Sequence, residues 1–156
     1  MNPNNANPWI GDVREAARVR GIQLEIMKAS TESEIDAAFA VLVQQHAKAL
    51  LIGDDVFFTS RHEQLVALAS RYSVPVIERW REFAISGGLI SYGTSLADAS
   101  RLAGAYTARV LKGEKAGDLP VQQSTKIELV INLKTANALG IDVPPTLLAR
   151  ADEVIE

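Results

Sequence analysis

Short apolar segments alternate with amphipathic helical segments along this chain, and few folds accommodate that order. Residues 22–26 alternate between apolar and polar side chains, as a half-buried strand does. Residues 49–52 form a continuous apolar run, which is typical of a parallel strand covered on both faces. Between them Ile35, Phe39 and Leu42 recur at helical spacing. The order predicts an α/β fold, a three-layer sandwich with a mainly parallel sheet.

The predicted elements continue to about residue 139, and Pro144-Pro145 then precedes a tail without a predicted element. Strands are predicted at residues 22–27, 49–52 and 74–77 in one parallel sheet, with later strands at 89–92 and 126–131. Helices are predicted at about residues 8–20, 95–111 and 133–139. Two more helices are expected to begin at capping boxes, which pair Thr31 with Glu34 and Ser60 with Glu63.

Composition excludes several classes of protein. The chain has 156 residues, 47% of them hydrophobic and 22% charged, which indicates one globular domain with a real core. A net charge of -3 argues against a general electrostatic attraction to nucleic acid. The lack of cysteine excludes disulfides and thiolate metal sites. No apolar run is long enough to cross a membrane.

The first eight residues resemble a loop that should follow a strand. They contain neither the charged nor the apolar region of a secretory signal peptide. In a doubly wound fold an apolar strand would stand directly before Asn2. We therefore expect a fragment of a longer protein, an engineered chain or a miscalled gene start. Asn4 and Asn5 are candidate ligand contacts here, although capping of the first helix is the alternative.

Polar and aromatic side chains follow the second predicted strand. Asp54, Asp55 and Phe57 come directly after residues 49–52. Ligands of α/β sheets bind at the carboxyl ends of the strands. A carboxylate here would accept a ligand ammonium group, and Phe57 would stack on an apolar or aromatic solute. A solvated turn beside a helix cap is the alternative for the two aspartates.

A second candidate cluster follows residues 74–77. Arg79 would bind a ligand carboxylate through two parallel hydrogen bonds, and Trp80 would cover an apolar part of the solute. Ion pairing with Glu78 or Glu82 is the alternative for the arginine. Adjacent paired strands lie about 5 Å apart, so both turns are expected to contact one small solute. Tyr92, in the strand at 89–92, is a further candidate.

The chain carries no strong catalytic motif, and we predict no enzyme activity, cofactor or metal. His46 and His62 share no metal-binding spacing. Ser60, His62 and Asp54 are the residue types of a hydrolase triad, but no nucleophile elbow surrounds Ser60. Two alternatives to a binding module stay open. One is a small flavodoxin-like or sugar-isomerase-like enzyme that uses Asp54, Asp55 and Arg79, and the other is a ligand-sensing domain of a cytoplasmic regulator.

Many short phrases in a characteristic order resemble one known family. They are Asn2-Pro3-Asn4-Asn5, Ala29-Ser30-Thr31-Glu32, Ser91-Tyr92-Gly93-Thr94, Leu111-Lys112-Gly113-Glu114 and the run from Glu128 to Ala136. The chain resembles the C-terminal half of ABC-transporter solute-binding proteins with the periplasmic-binding type I fold, in the branch that binds tryptophan and other small organic solutes.

The resemblance implies a function, a location and a partner. Such proteins close two lobes on a solute and deliver it to an ABC permease, and the full-length protein would be periplasmic or membrane-anchored outside the cytoplasm. Residues 1–156 would form a single domain, the second lobe, with a segment at about 86–125 that crosses to the first. Because the first lobe would be missing, the isolated chain is expected to self-associate through uncovered apolar surface.

Overall fold

The computed structural model describes residues 9–156, and Asn4 and Asn5 lie outside the described residues. The chain divides into two compact units, Met1–Val76 and Ile77–Glu156. The elements of the first unit are α1 (Ile10–Arg20), α2 (Glu32–Gln44), β1 (Leu50–Leu51), α3 (Val56–Thr59) and α4 (His62–Tyr72). Strand β2 (Val76–Glu78) begins on the last residue of the first unit.

The second unit holds the remaining strands and four helices. Its elements are α5 (Arg81–Ile85), β3 (Ile90–Thr94), α6 (Leu96–Leu111), a 3-10 turn (Ala116–Asp118), β4 (Ile127–Asn132), α7 (Leu133–Ala138), α8 (Pro145–Leu148) and β5 (Glu153–Ile155). The α/β class is confirmed. No helix within residues 9–156 is both long and apolar enough to span a membrane.

The strands follow one another in the sheet in the order β1-β2-β3-β4-β5. The pairing is parallel between β2 and β3, where Ile77 lies opposite Ile90, and parallel again between β4 and β5. It is antiparallel between β3 and β4, where Ile90 lies opposite Ile131. At the other end, the Leu50 N–H donates to the Pro75 carbonyl oxygen at 2.8 Å.

The core of the first unit lies between α2 and α4, which pack against each other. Phe39 is 1% exposed, and its ring stacks on Tyr72 at a centroid distance of 6.2 Å. The Gln64 side-chain amide joins the two helices by donating to the Asp36 carboxylate at 2.9 Å. The predicted cap of α2 is confirmed, since Thr31 Oγ1 accepts the Glu34 N–H at 3.2 Å.

One part of the core of the second unit lies at α5, which packs against β3 and β4, and Phe83 of that helix is 1% exposed. Another part is a cluster of Leu89, Ile131, Ala136 and Val143, in which Ile131 is completely buried. A methyl group at residue 88 would overlap the Phe83 ring, so glycine is required there. Gly87 has a φ of 108°, which side chains other than glycine rarely adopt. The adjacent glycines at 87 and 88 thus serve the turn and the packing of Phe83.

Two sequence predictions about local structure are wrong. Residues 22–29 form neither strand nor helix, although residues 22–27 alternate as a strand should. Alternation fixes which side chains turn inward, but a strand also needs a neighbouring strand to receive its hydrogen bonds. Ser60 does not cap α4, because that helix begins at His62, one residue later than a cap at Ser60 requires. The Ser60 hydroxyl instead donates to the Phe57 carbonyl oxygen at 2.7 Å and helps to end α3.

Candidate functional site

The turn after β1 holds the first group of candidate residues. Asp55 is 7% exposed, and its Oδ1 accepts the Phe57 N–H at 2.8 Å, so its side chain caps α3. The turn therefore contains a helix cap, as the alternative interpretation expected, but Asp55 itself is buried rather than solvated. Asp54 is half-buried in the same turn. The structure thus places two carboxyl groups at the carboxyl end of β1, where α/β proteins bind ligands.

Aromatic rings lie beside these carboxyl groups. Phe57 is half-buried, whereas Phe58 is 5% exposed and belongs to the core. The two ring centroids are 5.4 Å apart. The Arg61 guanidinium lies 5.8 Å from the Phe57 centroid, and its Nε is 2.7 Å from the Glu32 carboxylate. Sequence analysis did not single out Arg61, because its separation from Glu32 along the chain gives no local signal of the pair.

The turn after β2 holds the second group. Glu78 is 4% exposed, and its Oε2 accepts the Trp80 N–H at 2.8 Å, which fixes the turn that leads into α5. The Arg79 guanidinium lies 4.6 Å from the Trp80 ring centroid. Its Nη2 donates to Thr94 Oγ1 at 3.4 Å. Arg79 therefore has a defined position between an aromatic ring and the end of β3.

The neighbouring arginine has a structural role. The Arg81 Nε and Nη2 donate to the two Glu153 oxygens at 2.7 and 2.8 Å, which joins α5 to β5. The Glu153 carboxylate holds the pKa of the Arg81 guanidinium above its usual value. For the nearby Arg79, sequence analysis considered pairing with Glu78 or Glu82. The partner of Arg81 is instead far away in sequence.

Tyr92 lies on β3, within the same unit as Arg79 and Trp80. Its side chain is 59% exposed, whereas the adjacent Ser91 is 1% exposed. Successive side chains of a strand point to opposite faces, so the buried serine leaves the tyrosine on the open face. Tyr92 and Thr94 share that face, and Thr94 accepts the hydrogen bond from Arg79. Within residues 9–156, no group of three or more His, Asp or Glu side chains is placed to hold a metal ion.

Gly93 is the residue that allows Arg79 to approach β3. A Cβ atom at residue 93 would lie 2.5 Å from the Arg79 carbonyl oxygen, and that oxygen belongs to the backbone and cannot rotate away. We expect Gly93→Ala to lower the free energy of unfolding by about 1–3 kcal/mol through this overlap. Urea denaturation measures the effect.

Gly104 provides the matched control, since a Cβ at that helical position would meet nothing within 4 Å. Gly104→Ala should raise the free energy of unfolding by about 0.5–1 kcal/mol, because alanine favours helix over glycine. Equal effects of the two substitutions would contradict the close approach at Gly93.

The sequence of this chain matches a known protein family and is similar to a known protein. The family described as ABC transporter substrate binding protein matches the chain over residues 2–155. A tyrosine-binding protein of Clostridioides difficile strain R20291 is 25% identical over 137 residues, which cover 88% of this chain and 39% of that protein. The chain therefore spans well under two thirds of this curated relative.

The chain is also similar to solved structures. The chain is similar to a conserved domain protein of Vibrio cholerae, with a TM-score of 0.83 and 26% identity over 99% of this chain and 52% of that one. It is also similar to an ABC domain in complex with L-Trp from Streptococcus pneumonia, with a TM-score of 0.80 and 26% identity. That match covers 94% of this chain and 49% of that one.

Proposed function

We propose that this chain, which belongs to the ABC transporter substrate-binding protein family, provides part of a binding site for an amino-acid-like solute. Its role is to bind rather than to catalyse. It acts outside the cytoplasm and delivers the solute to an ABC permease. Family membership supports the role, and two similar proteins are described by the aromatic amino acids that they bind, tyrosine and L-Trp.

The position of Arg79 is the observation that supports an amino acid as the solute. A free amino acid has a carboxylate and an ammonium group, and an aromatic one adds a ring. Arg79 offers a guanidinium that is already oriented by Trp80 and Thr94. A guanidinium binds a carboxylate through two parallel hydrogen bonds. The turn after β1 offers Asp54 for an ammonium group and Phe57 for a ring, so each turn supplies chemistry that an aromatic amino acid requires.

The test is a titration of the ¹⁵N-labelled chain with L-tryptophan and L-tyrosine, followed by amide chemical shifts. We expect shifts in the turn of Asp54 and Phe57 and in the turn of Arg79 and Trp80. Arg79→Ala should weaken the affinity about ten- to a hundredfold, since a hydrogen bond to a charged group contributes about 1.5–3 kcal/mol. Arg79→Lys should recover only part of that loss, because lysine keeps the charge without the planar fork.

Arg71 offers a matched control for Arg79. Its guanidinium also lies over an aromatic ring, 5.4 Å from the Tyr72 centroid, but it belongs to the last turn of α4 and not to a turn that follows a strand. Arg71→Ala should leave the affinity unchanged. Unaltered affinity in Arg79→Ala, Asp54→Asn and Phe57→Ala, each of them folded, would rule out this site. Asn4 and Asn5 remain predicted contacts.

Helix α6 supports the proposal that the isolated chain self-associates. It spans 16 residues, and none of them is buried. Leu96, Val110 and Leu111 are 54%, 42% and 82% exposed. An apolar surface of this kind favours association between copies. We expect concentration-dependent dimers in sedimentation velocity experiments.

The substitutions Val110→Glu and Leu111→Glu should shift the chain to monomer, because each adds charge to the apolar surface of α6. Ser100→Glu is the matched control, since it adds the same charge at an exposed polar position of the same helix. A clean monomer at all concentrations in the unmodified chain would refute self-association.

A further inference from the structure

The first unit contains a large apolar cavity, and none of the described candidate site residues lines it. Its volume is about 690 Å³. Its lining comes mainly from residues 22–29, residues 47–53 and α2, and the start of α1 adds Trp9, Ile10 and Val13. The apolar side chains of the three main parts include Ile22, Leu24, Ile26, Phe39, Leu51 and Ile52. We call this cavity the strand groove, and the two strand-like segments that line it, residues 22–29 and 47–53, the flanks.

Each flank has the character of a strand that lacks a neighbour. Residues 22–26 alternate apolar and polar, with Leu24 and Ile26 half-buried and Gln23 and Glu25 exposed, yet they join no strand ladder within the described residues. The opposite flank contains β1, which is only two residues long and stands at the end of the strand order. An edge strand presents backbone groups that pair readily with an added strand.

The dimensions of the strand groove agree with those of a strand. In a packed sheet a residue rises about 3.3 Å, strands lie about 4.8 Å apart and layers about 10 Å apart, so each residue takes up about 160 Å³. A cavity of about 690 Å³ therefore corresponds to about four residues. We propose that the strand groove binds an extended apolar polypeptide segment of about four residues, which pairs with both flanks and converts residues 22–26 into a strand.

Three other candidate occupants fit the strand groove less well than an added strand does. A second copy of this chain would have to supply a strand, but within residues 9–156 β2, β3 and β4 already have neighbours on both sides. The two edge strands, β1 and β5, have only two and three residues. Residues 1–8 contain four asparagines and two prolines, which strands disfavour. An apolar small molecule would fill the side-chain space, whereas a strand also supplies hydrogen-bonding groups for the backbone of the flanks.

The experiment uses the whole chain and a fluorescent, amidated peptide, Lys-Val-Ile-Val-Ile-Lys, whose terminal lysines keep it soluble. Fluorescence anisotropy should show saturable binding. A peptide with proline in place of the second valine should bind at least about tenfold more weakly, because proline removes a hydrogen-bond donor and breaks the strand. Hydrogen exchange should slow at residues 23–26 and 49–52 when the first peptide binds.

Exposed positions allow variants that spare the core. Ile22 and Leu51 line opposite flanks and are 61% and 51% exposed, so lysine at either position should not prevent folding. Ile22→Lys and Leu51→Lys should each weaken peptide binding about tenfold, which corresponds to about 1.4 kcal/mol. Val56→Lys is the control, since Val56 is 85% exposed and lies outside the groove lining.

Four results would overturn the proposal. They are no binding up to the solubility limit of the peptide, equal binding of the proline peptide, binding without slower exchange at residues 23–26, and a dimer in which those amides are already protected. Dimers formed through α6 would leave these amides unprotected. None of these results depends on solute binding at Arg79, so the two proposals fail or succeed separately.

Discussion

Phe83→Ala should lower the free energy of unfolding of the second unit by about 3–5 kcal/mol, which is the cost of removing a buried aromatic side chain and leaving a cavity. Phe83 is 1% exposed, and the backbone at Gly88 lies so close to its ring that even a methyl group would overlap it. Because α5 packs against both β3 and β4, the cavity would stand between a helix and the middle of the sheet. Urea denaturation is the measurement.

Ile85 on the same helix is the control for Phe83. It is 49% exposed, so Ile85→Ala should cost about 1 kcal/mol or less. If Phe83→Ala leaves too little folded protein to measure, Phe83→Leu keeps most of the volume and should cost about 1–2 kcal/mol. A loss for Phe83→Ala no larger than that for Ile85→Ala would show that this ring does not hold α5 on the sheet.

Asn132→Ala should lower the free energy of unfolding by about 2–4 kcal/mol, since it removes a helix cap and leaves a buried carbonyl oxygen without its partner. Asn132 is 4% exposed and ends β4. Its Nδ2 donates to the Ala84 carbonyl oxygen at 2.9 Å, and its Oδ1 accepts the Thr135 N–H at 3.0 Å. One side chain therefore joins the end of α5, the end of β4 and the start of α7.

Asn137 provides the control, because it is an exposed asparagine in the same short helix. Asn137→Ala should change the free energy of unfolding by no more than about 0.5 kcal/mol. Thermal or urea unfolding of both variants gives the comparison. Similar values for the two would mean that the buried hydrogen bonds of Asn132 contribute little.

These contacts explain one of the phrases by which the sequence resembles its family. The run from Glu128 to Ala136 includes Asn132 and Thr135, and the Thr135 hydroxyl donates to the Gly87 carbonyl oxygen at 2.9 Å. Ala136 is completely buried, so a larger side chain would not fit. The residues of this run therefore have a structural role in the second unit, because their contacts connect β4 and α7 to the chain around α5.

Part of the candidate site could be predicted from the sequence, because the carboxyl ends of strands are the usual place for ligands in α/β proteins. The order of residues identified the two turns and the arginine beside a tryptophan. It left open whether Asp55 faces a ligand or caps a helix. Only the structure shows the cap, since both uses need the same carboxylate directly after a strand.

The sequence by itself determined the fold class, the long helices and the cap at Thr31, because these follow from hydrophobic spacing and hydrogen bonds between near neighbours. The tertiary structure decided features that depend on distant partners. Arg81 pairs with Glu153, and β5 forms beside β4 where the sequence predicted only a tail. Residues 22–27 lack a strand despite their alternation, because a β-strand depends on its neighbours, whereas a helix closes its own hydrogen bonds.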